Sequence, residues 1–241
     1  MHTDKIPRKN SDKAEYQRSD EMRTIPLPPE EPARTQSLAI KVALAADDKK
    51  ALQIACKDLL ETLATAYGVA APKIKVLASR PQKVTDNWVF ETFGDYDPET
   101  TQIRLWMRTA VQKKATSYGT FLSTLCHEFC HHLDMVQLDL PETYHTRGFY
   151  ERTAAIYHHI QNTPHKRIAW REQKDGTYAV DWSQMRREAA PNGPKSNAST
   201  SNNQTDSTSA NSSSSGSKSS SQSRLVPPKS YVPEVIQQKL F

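Results

Sequence analysis

Apolar residues return at helical spacing between positions 36 and 67: Leu38, Val42, Leu44, Leu52, Ile54, Leu59, Leu60 and Leu63. Asp47-Asp48 interrupts the pattern and Gly68 ends it, so the stretch predicts one broken helix or two. The period then drops to two. Residues 73–78 (KIKVLA) alternate, and residues 87–93 (NWVFETF) are rich in aromatic and β-branched types. In residues 102–107 (QIRLWM), Ile103, Leu105 and Met107 share one face, with Arg104 and Trp106 on the other. With the turn signal Asp97-Pro98-Glu99-Thr100, these segments predict a small antiparallel sheet ending in a hairpin. Helical periodicity resumes over 117–138, stops near Pro141, and returns over 146–161. Residues 166–182 predict a further hairpin, with Asp175-Gly176 at its turn.

Both ends depart from this order. Residues 1–35 combine charge with proline (Ile25-Pro26-Leu27-Pro28-Pro29-Glu30-Glu31-Pro32) and lack periodicity, which predicts a flexible leader. Residues 191–224 collapse into Ser, Asn, Thr and Gln and are expected to form a disordered linker. Apolar residues recover over 225–241, an expected C-terminal interaction peptide. One domain remains, 36–190, long enough to bury a single core.

The 241 residues are 36% hydrophobic and carry a formal charge of +5. That mild excess permits DNA as a partner without demanding it. No apolar run approaches bilayer-spanning length, so a membrane is not an expected partner. Residues 1–10 are polar where a secretory signal needs an apolar run. Three cysteines, Cys56, Cys126 and Cys130, without a CxxC pair, fit a reducing and cytoplasmic setting.

The chemistry concentrates at His127-Glu128-Phe129-Cys130-His131, an HExxH motif inside the long helix expected over 117–138. Histidines four positions apart stand one turn apart on the same helix face, so both imidazoles can reach one Zn²⁺ ion. Glu128 sits about 100° round the helix from His127, placed to face a metal-bound water without ligating the metal. Zinc lowers the pKa of that water, and the glutamate can take its proton as it attacks a carbonyl. A catalytic zinc usually has three protein ligands and an open position. A third histidine six residues after the motif is excluded, because Gln137 stands there. His145, just beyond the Pro141 break, is the leading candidate, and Glu151 and Glu142 are its competitors.

Several neighbours carry two readings. Asp134 could hold the second nitrogen of His131, or be solvated surface. Tyr144 and Tyr150 could donate to a developing oxyanion, or pack in the core. Cys126 and Cys130 are expected as small buried packing residues, with a thiolate ligand as the alternative. His132 points away from the ligand face, and His158, His159 and His165 are expected at helix-end and loop surface. Arg147, Arg152, Lys166, Arg167 and Arg171 could make a basic rim for DNA, or only a solvated face.

The run HEFCHHLD, followed by His145-Thr146-Arg147-Gly148-Phe149-Tyr150, resembles the SprT-like zinc metallopeptidases, the group that includes Spartan. Their pattern is HExxH, a third histidine after a short gap, and an aromatic residue about four positions on, where Phe149 stands. The resemblance covers residues 95–152. The family commonly has glycine directly after the third histidine; here Thr146 holds that place and the glycine is Gly148, and no cysteine-rich zinc ribbon follows. The resemblance implies an α+β, zincin-like domain, with a small mostly antiparallel sheet on an HExxH active-site helix. It implies His127, His131 and His145 as zinc ligands and Glu128 as general acid/base. Strand 102–107 would be the rim along which an extended protein or peptide substrate lies.

The last five residues, Gln237-Gln238-Lys239-Leu240-Phe241, resemble the bacterial sliding-clamp-binding peptide. Gln237 would supply a polar anchor, and Leu240 and Phe241 apolar anchors, on a tether that raises local concentration. The combined expectation is a zinc endopeptidase, recruited through the sliding clamp, that degrades DNA-bound or crosslinked proteins near the nucleoid. Its rivals are a general cytosolic regulatory peptidase and a non-catalytic zinc adaptor acting through its tail. A bland alternative for the terminal peptide is packing back on the core.

Overall fold

In the computed structural model, residues 1–85, 88–110 and 112–189 are described. The chain opens with helix α1 (Asn10–Glu21), inside the stretch expected to be a flexible leader. Residues 1–35 are instead part of the folded domain. Many of their tertiary contacts are polar, and the few apolar side chains that reach the core, Met1, Ile25 and Ala33, are too scattered to leave a period to detect. Tyr16, Ser19 and Asp20 of α1 are buried, and the helix packs on a later helix, Arg147–Gln161.

Helices α2 (Glu30–Ala45) and α3 (Lys49–Tyr67) are the two halves of the interrupted pattern. Asp48 sits at the break, where its carboxylate accepts from the N–H groups of Lys50 and Ala51 at 2.9 and 3.0 Å and caps α3. Gly68 closes α3 with φ +68°, a left-handed C-cap. Ile40, Leu44, Leu52, Leu59, Leu60 and Leu63 are buried, whereas Leu38, Val42 and Ile54 from the same apparent stripe are exposed.

The sheet follows. Strand β1 (Lys73–Ser79) is succeeded by a separate antiparallel pair, β2 (Gln82–Thr85) and β3 (Trp88–Glu91), then by β4 (Gly94–Asp97) and β5 (Gln102–Arg108). The three-stranded sheet has the order β1-β5-β4. Strand β5 runs parallel to β1 and antiparallel to β4, so the sheet is mixed rather than mostly antiparallel. The local β4–β5 hairpin is legible in the turn signal. The parallel β1–β5 pairing closes over the intervening hairpin and has no local mark. Being central, β5 buries Ile103, Leu105 and Met107 on one face and Trp106 on the other.

Helix α4 (Tyr118–Val136) lies against β4 and β5. It is capped by Ser117, whose hydroxyl accepts from Thr120 N–H at 3.2 Å. Nearly every side chain from Phe121 to Asp134 is buried, so it is a core helix rather than a one-faced surface helix. Helix α5 (Arg147–Gln161) packs on α4; Thr146 caps it by accepting from Phe149 N–H at 3.0 Å. The hairpin of β6 (Trp170–Glu172) and β7 (Tyr178–Val180) turns at Gly176, φ +79°, before the short helix α6 (Trp182–Ala189). The described part is α+β, with six helices and a small mixed sheet. None of these helices is long and apolar enough to cross a membrane. The expected linker, 191–224, and terminal peptide, 225–241, lie outside the described residues.

Candidate metal centre

Helix α4 carries His127 and His131 on one face, and the loop between α4 and α5 brings His145 to them. The Nε2 atom of His127 lies 3.1 Å from Nε2 of His131 and 3.1 Å from Nε2 of His145. One nitrogen from each of the three lies within 4.8 Å of the others, so the group could hold a metal ion. Tetrahedral coordination with Zn–N bonds of about 2.05 Å would separate such nitrogens by about 3.3 Å. The donor set therefore fits a tetrahedral ion with three imidazoles and one open position. Burial pushes the His127 imidazolium far below its ordinary range and lowers that of His131 to about 3, so both rings stay neutral with lone pairs free to coordinate.

Phe149 forms a floor, its ring centre 4.9, 4.5 and 5.2 Å from those of His127, His131 and His145. The outer nitrogens have different surroundings. His131 Nδ1 meets Thr143 Oγ1 at 3.1 Å, and His145 Nδ1 lies 3.3 Å from Asp4 Oδ2. His127 Nδ1 is buried with no partner among the described residues. Thr143 holds φ +44°, a left-handed conformation that a β-branched residue rarely adopts, in the loop that delivers His145.

Glu128 is buried, and its carboxyl is pushed up to about 8, first by desolvation and then by the charge of Asp95. Strand β4 passes it closely. A Cβ built on Gly94 would lie 3.1 Å from Glu128 Oε1 and 2.7 Å from both Leu105 Cδ2 and Thr124 Cγ2. Only glycine lets the strand approach the helix so closely here.

Other expected roles change. Asp134 does not hold His131; it pairs with Arg152, wholly buried, at 2.9 Å. Arg152 and Arg147 therefore leave the basic rim, Arg147 being bound to Asp20, while Lys166, Arg167 and Arg171 remain exposed. Tyr144 packs against Tyr16, the rings tilted by 54° with their centres 5.6 Å apart. Tyr150 lies beside His145, but its hydroxyl donates to His2 O at 3.1 Å. Glu151 is occupied by Arg23 at 3.1 Å and Trp170 Nε1 at 2.9 Å, and Glu142 is exposed, so neither joins the histidines. The buried thiols of Cys126 and Cys130 are raised, that of Cys130 to about 12, which disfavours the thiolate. His132 is buried away from the cluster between Tyr96 OH and Ala70 O. His158 and His159 are half-buried rather than surface residues, and His165 is exposed.

The rim assigned to residues 102–107 moves as well. Strand β5 has both edges paired, so it cannot accept another strand; β4 is the edge beside Glu128. Asp4, Thr143 and Gly94 carry no sequence signal that marks them as part of the centre, because each gains its place through a distant neighbour. Comparison of the chain with protein-family models, with curated proteins and with solved structures returned no match.

Proposed function

We propose that the chain is a zinc-dependent endopeptidase of the SprT-like type, built on a zincin-like domain. The observation that carries the proposal is the convergence of His127, His131 and His145 beside a buried carboxyl, Glu128. Zinc on the three imidazoles would supply Lewis acidity toward a water and a peptide carbonyl. Glu128, next to His127 on α4, would as a carboxylate accept a proton from the attacking water and return it to the leaving amine. Phe149 packs its ring against all three imidazoles on their inner side. Strand β4 pairs only with β5 among the described residues, so its other edge offers N–H and C=O groups to an extended substrate. Recruitment to DNA through Gln237, Leu240 and Phe241, with Lys166, Arg167 and Arg171 facing phosphate, is the sharper form of the proposal.

The full chain, loaded with zinc, should cleave an unfolded protein or a protein–DNA crosslink. Cleavage should stop with chelator and with Glu128→Gln, while the variant keeps its zinc. Hydrolysis that survives Glu128→Gln, or a wild-type chain that binds no zinc, would overturn the proposal. Zinc binding without hydrolysis would leave the adaptor that works through its tail.

A further inference from the structure

We propose that residues 1–22 form a clamp that builds the third corner of the metal centre, with Asp4 as the positioning residue for His145. The inference rests on the metal centre proposed above. His127 and His131 are aimed by the hydrogen-bonded backbone of α4. His145 has no such support. It sits between α4 and α5, in a segment without helix or strand, whose backbone groups need partners from elsewhere.

The N-terminal segment supplies them. Asp4 N–H donates to His145 O at 2.9 Å, and His145 N–H donates to Asp4 Oδ2 at 2.8 Å. The same carboxylate oxygen faces His145 Nδ1 at 3.3 Å. A proton held on Nδ1 leaves the lone pair on Nε2, the atom turned toward His127. Further along, Glu142 N–H donates to Glu15 Oε1 at 2.8 Å, Arg18 donates to Asp139 O, Ser19 Oγ meets Thr146 Oγ1 at 2.9 Å, and Arg147 N–H donates to Asp20 Oδ1 at 3.0 Å. These partners lie 121 to 141 positions apart in sequence.

The clamp is itself anchored. Thr3 N–H donates to Tyr178 O at 2.8 Å, Tyr178 N–H donates to Thr3 Oγ1 at 2.9 Å, and Tyr16 OH donates to Asp4 O at 3.0 Å. Gly148 provides an independent mark of the fit. A Cβ there would fall 2.0 Å from Ser19 O, so the glycine is the space that admits the end of α1. Asp4 is half exposed, which means that changing it leaves the core untouched.

The test compares the full-length wild type with Asp4→Ala, Asp4→Asn and, as a neighbouring surface control, Lys5→Ala. Zinc affinity is measured by chelator competition, the Co²⁺-substituted site by its visible spectrum, and the metal-free fold by thermal unfolding. Asp4→Ala should weaken zinc binding by about 10- to 100-fold. It should also shift the Co²⁺ bands while leaving the metal-free unfolding midpoint in place. Asp4→Asn, which keeps an acceptor but loses the charge, should fall between, and Lys5→Ala should match wild type. Unchanged affinity and Co²⁺ spectrum in Asp4→Ala would overturn the inference while leaving the zinc proposal standing. So would a loss of affinity matched by a lowered metal-free midpoint, since Asp4 would then be only structural. A wild type that binds neither Zn²⁺ nor Co²⁺ would overturn both.

Discussion

Arg152 places its Nη2 2.9 and 3.1 Å from the two carboxylate oxygens of Asp134, and neither side chain reaches solvent. Nη1 of the same guanidinium donates to the carbonyls of Ser19 and Met22, at 3.0 and 2.6 Å. One buried cation thus ties α4 and α5 to the end of α1. Desolvation lifts the Asp134 carboxyl to about 6 although the guanidinium pulls it down, so burial outweighs the pairing.

Arg152→Met should therefore destabilise the fold by about 3–5 kcal/mol, because it strands a buried carboxylate and two carbonyls. Urea unfolding at pH 7 measures this. A change below about 1 kcal/mol, the range of an exposed pair, would show that the pair is solvated.

Glu128 gives a pH-dependent prediction. Its ordinary value is 4.5 and its folded value about 8, so between them the folded chain keeps a proton that the unfolded chain releases. Stability in the metal-free state falls as pH rises through that window. Metal-free Glu128→Gln should be more stable than wild type at pH 7 by up to about 3 kcal/mol, with the gap closing near pH 4. Urea midpoints at the two pH values decide it; equal midpoints at pH 7 would mean that the carboxyl ionises normally. His131 acts in the opposite sense. With a folded value of about 3 against 6.5, it should make the metal-free chain lose stability as pH falls through that range.

The two close-approach glycines should respond differently to the same methyl group. Gly94→Ala meets Leu105 and Thr124 side chains and should cost about 1–3 kcal/mol by pushing β4 off α4. Gly148→Ala meets the backbone of α1, so it should release that helix and open Arg18 and Arg23 to trypsin. Limited proteolysis with mass mapping separates the two. Wild-type digestion of Gly148→Ala would show that α1 has room to spare.

For the third ligand, His145→Ala should lower zinc affinity by at least about tenfold. Glu151→Ala should leave it unchanged, since Glu151 already serves Arg23 and Trp170. Chelator competition on both variants checks the assignment, and the reverse pattern would hand the position to Glu151.

Removing Leu240 and Phe241 should abolish capture of the chain by a bacterial sliding clamp and leave peptide cleavage by the zinc-loaded protein intact. A pull-down with the clamp measures it. Capture that persists without the two residues, or is absent from the wild type, removes the recruitment step.

Much of this was legible in residue order because it depends on neighbours a few positions away. Asp47-Asp48 and Gly68 bound α3 through capping and a left-handed turn. The hydrophobic period outlined α4 and α5, and the spacing of His127 and His131 put both on one helix face. Leu38, Val42 and Ile54 misled for the same local reason: periodicity reports an apolar residue without saying whether anything covers it.

The rest depended on which distant segments meet. Nothing in an Arg or an Asp reveals whether it is solvated, so the Arg152–Asp134 pair, the central place of β5 and the attachment of Asp4 to His145 had no sequence mark. Residue order by itself determined the helices and the pair of imidazoles on one turn, since hydrogen bonds and side-chain direction within a helix are local. Only tertiary structure decided how the third imidazole is held. A loop has no internal ladder of hydrogen bonds, and the partners that fix this one lie more than a hundred positions away.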